Sequence, residues 1–234
     1  MCGRYITAQA AAFEKAIRLG KISWQFEPSY NVAPTQSVPV VRPSDGGPEG
    51  LMMRWGLIPF FAKGVPPKYS TINATIEKVE TGPVWRGQWG RAQRCLMPAA
   101  GFYEWHLDDA GRKAPFFIRL ADQDVFTFAA LWDRSITVDG VVIESCALIT
   151  MPGNELLRCV HNTGANPFRM PAILAQADQD AWLNGTKEQA KAVLEQYPDD
   201  RMVAYEVSTR VNSPKNNDDK LIIGVSAHGA LDLR

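Results

Sequence analysis

Apolar and polar positions alternate over short stretches along most of this chain. SVPVVR (37–42), LMMRWGL (51–57), FFIRL (116–120), VFTFAALW (125–132), GVVIESCALI (140–149) and MVAYEVS (202–208) combine β-branched and aromatic residues with period-two or fully apolar runs. Each predicts a strand. Helical spacing is rarer: Ala10, Phe13 and Ile17 predict a helix over 8–19, with Thr7 as its cap and Gly20 as its stop. Further helices are predicted at 153–160, 178–183 and 186–197, the last from TKEQAKAVLEQY. Short strands outnumber helices and no βαβ alternation appears. The pattern therefore predicts an α+β fold, a single domain with a largely antiparallel β core and a few flanking helices.

The chain has 234 residues, enough to bury a core without disulfide or metal staples. Its 16 prolines and 18 glycines are spread over the connections, so no linker or repeat divides it. The most polar stretch, NSPKNNDDK at 212–220, predicts a surface loop before a short C-terminal strand or tail, and the domain is placed at 1–223 with a tail at 224–234. Lys+Arg and Asp+Glu both number 25, so bulk charge argues for neither a nucleic-acid nor a membrane partner, and a polyanion site has to be a local patch. Apolar stretches are short, and the N-terminus lacks the apolar run of a signal peptide. A cytoplasmic monomer with no membrane partner is the expectation.

The four cysteines, at 2, 95, 146 and 159, form no CxxC pair and have no histidine at zinc-finger spacing, so no metal is expected. Cys95, Cys146 and Cys159 lie among apolar neighbours and read as small buried residues. Cys2 differs. Met1 is generally removed before a small residue, which leaves a chain beginning Cys-Gly-Arg. An α-amine of pKa about 7.7–8.0 then sits beside a thiol of about 8.5. That aminothiol suits two chemistries. The thiolate can attack an acyl carbon, as in N-terminal-nucleophile hydrolases. Alternatively the amine condenses with an aldehyde, and the thiol closes a thiazolidine ring.

Three other polar residues stand inside apolar or turn-flanked segments. Glu104, between Tyr103 and Trp105, is a carboxylate among aromatics that can move protons near pH 7 if its pKa is raised. His161 opens a Gly/Asn/Pro loop after a predicted helix. Asn73, in YSTINAT, is an amide able to orient an amine or a carbonyl.

MCGRY (1–5), YNVAPT (30–35), RWGLIP (54–59), INAT (72–75), RCLMPAAGFYEW (94–105) and His161 followed by RMPAIL (169–174) resemble, in that order, the SOS response-associated peptidase family. The resemblance covers residues 1 to about 213. It implies a barrel-like core and the shielding of abasic sites in single-stranded DNA, including junctions with duplex, with no cofactor. It implies that Cys2 forms a thiazolidine crosslink with the ring-opened sugar and that Asn73 positions the Cys2 amine. Glu104 would transfer protons, and His161 would act as general acid/base in strand cleavage or crosslink reversal. The protein would be nucleoid-associated while crosslinked. It also implies DNA contacts by Arg4, Asn31, Pro34, Arg86 and Arg169, with Phe61 and Trp105 supporting bases. Two departures stand out: Thr75 replaces the arginine usual after Asn-Ala, and the short His-x-Arg-Met-Pro is expanded to HNTGANPFRMP, with Asn162 beside the site. The rival reading is a cysteine peptidase using Cys2 and His161. A glutamine amidotransferase, which also begins Cys-Gly, lacks its further motifs here.

Overall fold

The computed structural model describes residues 2–17 and 19–225. In chain order its strands are β1 (Tyr5–Ile6), β2 (Lys21–Ile22), β3 (Ser37–Arg42), β4 (Glu49–Trp55), β5 (Asn73–Thr75), β6 (Arg94–Ala99), β7 (Gly101–Leu107), β8 (Lys113–Leu120), β9 (Phe126–Ile136), β10 (Val142–Pro152), β11 (Arg169–Pro171), β12 (Ile173–Leu174) and β13 (Met202–Glu206). Five of them close on themselves: β10 pairs with β4, β4 with β3, β3 with β6, β6 with β9, and β9 with β10. Four of these seams are antiparallel, and only β4–β10 is parallel, with Ser145 opposite Arg54. The result is the single-domain α+β fold with a largely antiparallel core that the sequence pattern predicts, closed into the barrel-like form that the resemblance implies.

Barrel strands are covered on both faces. Every residue of β6 is buried, so it reads as a continuous apolar run rather than an alternating one. Val40, Met53, Trp55, Leu96, Phe128 and Leu148 belong to the main core. The second sheet, β1-β7-β8-β13, is antiparallel throughout and sorts its side chains with period two. Phe102, Phe116 and Ile118 join the main core, whereas Tyr103 and Phe117 join a second cluster with Ile6, Val207, Val211 and Leu221.

Leu221 and Val211 come from 3₁₀ turns at Thr209–Asn212 and Asp219–Ile222, which close over the outer face of this sheet. The predicted C-terminal strand is reduced to a single bridge between Val207 and Gly224. Of the predicted tail, only Gly224 and Val225 are described, and 226–234 lie outside the described residues.

The helices are α1 (Ala10–Ala16), α2 (Arg86–Gly90), α3 (Glu155–Val160), α4 (Gln179–Asn184) and α5 (Lys187–Ala192). α1 is shorter than predicted. Thr7 does not cap it, because its Oγ1 accepts the Ser29 N–H at 2.9 Å instead. Gly20 serves a close approach rather than a helix stop, since a Cβ there would lie 2.1 Å from the Gly46 carbonyl oxygen. α5 also ends earlier than predicted, but Thr186 and Gln189 form the capping box that TKEQ suggests. Cys95 and Cys146 are buried as predicted, whereas Cys159 is only half-buried because it sits near the end of α3.

Candidate active site

β1 carries Cys2 to its place. Tyr5 pairs with Phe102, and the Tyr103 N–H donates to the Arg4 carbonyl at 3.0 Å, so the preceding residues run alongside Glu104 on β7. Cys2 is 1% exposed. Its Sγ–H points to the Arg4 carbonyl at 3.8 Å, and its own carbonyl accepts Asn73 Nδ2 at 2.9 Å. Asn73 opens β5 opposite Leu148, and its Oδ1 is buried without a hydrogen-bond partner. An acceptor desolvated in this way favours an N–H or O–H brought by a ligand or a rearranged neighbour.

Glu104 faces inward, 2% exposed, with its Oε2 3.6 Å from Nε2 of His161. His161 follows α3, its N–H donating to the Leu157 carbonyl at 2.8 Å. Its Nδ1 lies 3.0 Å from the Arg169 carbonyl. A proton on Nδ1 satisfies that carbonyl and leaves the Nε2 lone pair toward Glu104. Burial pushes the Glu104 carboxyl up to about 7 and the His161 imidazole down to about 4. Between about pH 4 and 7 the pair therefore holds one proton, mainly on Glu104, and near pH 7 that carboxyl is about half protonated. Burial, reinforced by the Glu104 carboxylate, also pushes the Cys2 thiol well up, so it stays protonated.

The expanded loop after His161 is folded out of the way. Phe168, at a left-handed φ of +61°, donates its N–H to the His161 carbonyl at 2.6 Å and accepts the Gly153 N–H at 2.8 Å. Arg169 then joins β10 opposite Pro152, beside His161 despite the insertion. Asn162 fastens the loop to β7: its Oδ1 accepts the Leu107 N–H and its Nδ2 donates to the Leu107 carbonyl, both at 2.8 Å. A second tie, His106 Nδ1 to the Cys159 carbonyl at 2.9 Å, joins the same two segments. The strand bearing Glu104 and the loop bearing His161 are thus stitched together.

Cys2, Asn73, Glu104, His161 and Arg169 are linked in this way. The other residues singled out in the sequence are placed differently. Asn31 is 2% exposed, and its side chain is occupied by Arg4 and by the carbonyls of Val211, Ser213 and Asn216. Arg4 also donates to the Val211 and Asn212 carbonyls, so both residues hold the C-terminal turns against β1. Trp105, one residue on from Glu104, points to the opposite sheet face, packing on the second cluster and donating to Asn212 Oδ1 at 2.9 Å. Pro34 is half-buried, Phe61 is 56% exposed on the turn Phe60–Ala62, and Arg86 is exposed on α2. Sequence reasoning missed Glu77, which binds both Nη atoms of Arg169 at 2.7 and 3.0 Å. Among the described residues there is no cluster of His, Cys, Asp or Glu able to hold a metal, and no helix is long and apolar enough to cross a membrane.

Comparison with known proteins covers this whole arrangement. Residues 1–214 match the model of the family described as SOS response associated peptidase (SRAP). The abasic site processing protein YoqW of Bacillus subtilis is 36% identical, over 95% of this chain and 99% of that protein. The abasic site processing protein HMCES of Xenopus tropicalis is 28% identical, over 82% of this chain and 65% of its own length. Among solved structures, a protein from Bacteroides thetaiotaomicron is similar with a TM-score of 0.80 and 26% identity, over 96% of this chain and all of that one.

Proposed function

The chain belongs to the SOS response associated peptidase family, and from that premise we propose that it captures abasic sites in single-stranded DNA through Cys2. With Met1 removed, the amine of Cys2 adds to the aldehyde carbon of the ring-opened sugar, and loss of one water gives an imine. The thiol then adds across the C=N bond, sulfur to carbon and hydrogen to nitrogen. The product is a five-membered thiazolidine.

The observation that carries this reading is the gathering of an amide, a buried carboxyl and an imidazole at Cys2, with Asn73 Nδ2 2.9 Å from the Cys2 carbonyl and Glu104 3.6 Å from His161. Acyl transfer by a cysteine peptidase needs a thiolate beside a basic imidazole. Here burial keeps the thiol protonated and the imidazole weakly basic. Addition of S–H across C=N transfers no net proton to or from the site, so a neutral thiol suffices, provided a neighbour relays the proton. A carboxyl with a pKa of about 7 suits that relay, and the same group can protonate the departing water. The buried Oδ1 of Asn73 supplies an acceptor for the Cys2 amine, while its Nδ2 fixes the Cys2 backbone. His161 acts at the sugar together with Glu104, 3.6 Å away, whose carboxyl holds the proton that strand cleavage and reversal of the crosslink move. Arg169 meets the adjacent phosphate. No cofactor takes part in these steps, and the protein works on DNA in the cytoplasm as a monomer.

The test is incubation with a single-stranded oligonucleotide carrying one abasic site, followed by a denaturing gel. A slower, protease-sensitive species is expected with the abasic strand and not with an undamaged one. Its absence overturns the proposal.

A further inference from the structure

The segment between β5 and α2 holds two basic side chains that come from distant parts of the chain. Glu77 grips the Arg169 guanidinium with both carboxylate oxygens, at 2.7 and 3.0 Å. Three residues on, Glu80 binds Lys191 of α5 at 2.8 Å. Glu77 is 50% exposed against 14% for Arg169, so it lies on the solvent side of that cation, whereas Glu80 and Lys191 are both about half exposed, 46% and 56%. An exposed pair such as Glu80–Lys191 adds little to the stability of a fold. Past Glu80 the surface sinks into a cavity of about 340 Å³ lined by Arg86, Trp89, Lys187 and Lys191, with Glu80 and Glu188 as the acidic members. At its other end the series begins at the candidate site, since the Arg169 carbonyl accepts from His161.

We propose that this strip is a phosphate track. Single-stranded DNA leaving the captured sugar runs from Arg169 along Glu77–Glu80 to Lys191, Lys187 and Arg86, and its phosphates exchange with the two carboxylates. This inference rests on the abasic-DNA reading above. The chemistry is that of like-for-like exchange: the fork of N–H groups that holds a carboxylate bidentately also matches a phosphate. Glu77 and Glu80 act as resident surrogates that keep the cations in place when no strand is bound. Five cations, Lys78, Arg86, Arg169, Lys187 and Lys191, stand against three carboxylates, Glu77, Glu80 and Glu188, a local balance of +2. That balance accords with the neutral overall charge of the chain. Undamaged DNA is then held weakly, and residence on a lesion comes from the covalent bond.

The experiment is fluorescence anisotropy with a labelled 12-mer of undamaged single-stranded DNA, titrated across a series of KCl concentrations. Glu77→Gln with Glu80→Gln removes the competing carboxylates and is expected to tighten binding about tenfold. Lys187→Gln with Lys191→Gln is expected to weaken binding and to reduce the log–log salt slope by about 1.4, at about 0.7 for each phosphate no longer neutralised. Wild-type affinity and slope in both double variants overturn the track. A parallel arm offers wild-type protein an abasic 12-mer. Crosslinking there with unaltered slopes in the variants overturns the track alone, whereas no crosslinking overturns the reading on which it depends.

Discussion

Replacing Glu104 by glutamine separates the cost of a buried carboxyl from its use. In the folded protein its pKa is raised from 4.5 to about 7 by burial. A raised carboxyl pKa means that, between those two values, the folded state keeps a proton the unfolded state has lost. Stability is therefore highest below pH 4.5 and falls as pH rises through 7. A shift of this size corresponds to about 3 kcal/mol at 1.36 kcal/mol per pKa unit. His161 works in the opposite direction. Its pKa is lowered to about 4, so stability is lost as pH falls from 6.5 through 4. Wild-type stability is thus nearly flat across this window, because the two contributions oppose each other. Glu104→Gln removes only the first. Urea unfolding at fixed temperature, repeated from pH 4.5 to 8, should show the variant gaining about 3 kcal/mol on wild type as pH rises. The same variant should crosslink about 10²- to 10⁴-fold more slowly, the usual range for loss of a proton-transfer group. Parallel stability curves for the two proteins would refute the buried, proton-sharing pair.

Other outcomes follow from the same geometry. Cys2→Ala keeps an N-terminal amine but no thiol, so it should yield an adduct only when borohydride traps the imine, seen on a denaturing gel. Asn162→Ala loses both bonds to Leu107; it should cost about 1–2 kcal/mol in urea unfolding, and it should slow crosslinking about tenfold while displacing the pH midpoint set by Glu104. Leu221→Ala should cost about 2–4 kcal/mol, because Leu221 is 0% exposed and closes the second cluster although it lies beyond the matched residues 1–214.

Much of the fold was legible because β3, β4, β9 and β10 of the barrel and β8 and β13 of the second sheet carry dense β-branched or aromatic runs. β6 and β7 were less legible: buried on both faces for most of their length, they lack the alternation that marks a half-buried strand. α2 was missed because RGQWG is short and holds two glycines, a poor helix by propensity. At the site, residue type and motif order pointed to Cys2, Asn73, Glu104 and His161. What brings them together is register and loop closure, which no local pattern encodes. The bond between the Phe168 N–H and the His161 carbonyl, and the grip of Asn162 on Leu107, span an insertion whose path depends on tertiary contacts. For Arg4 and Asn31 the DNA contact is implied by the resemblance alone, and the structure adds that their side chains also hold the C-terminal turns.

Capture at Cys2 comes down to one covalent linkage, and intact-mass analysis tests it most directly. After reaction with an abasic oligonucleotide, a single adduct is predicted, equal to the protein without Met1 plus the DNA, less one water. Peptide mapping should place the adduct at Cys2, with its thiol resistant to alkylation. A chain that retains Met1 and forms no adduct, or an adduct whose Cys2 thiol still alkylates, would contradict the thiazolidine.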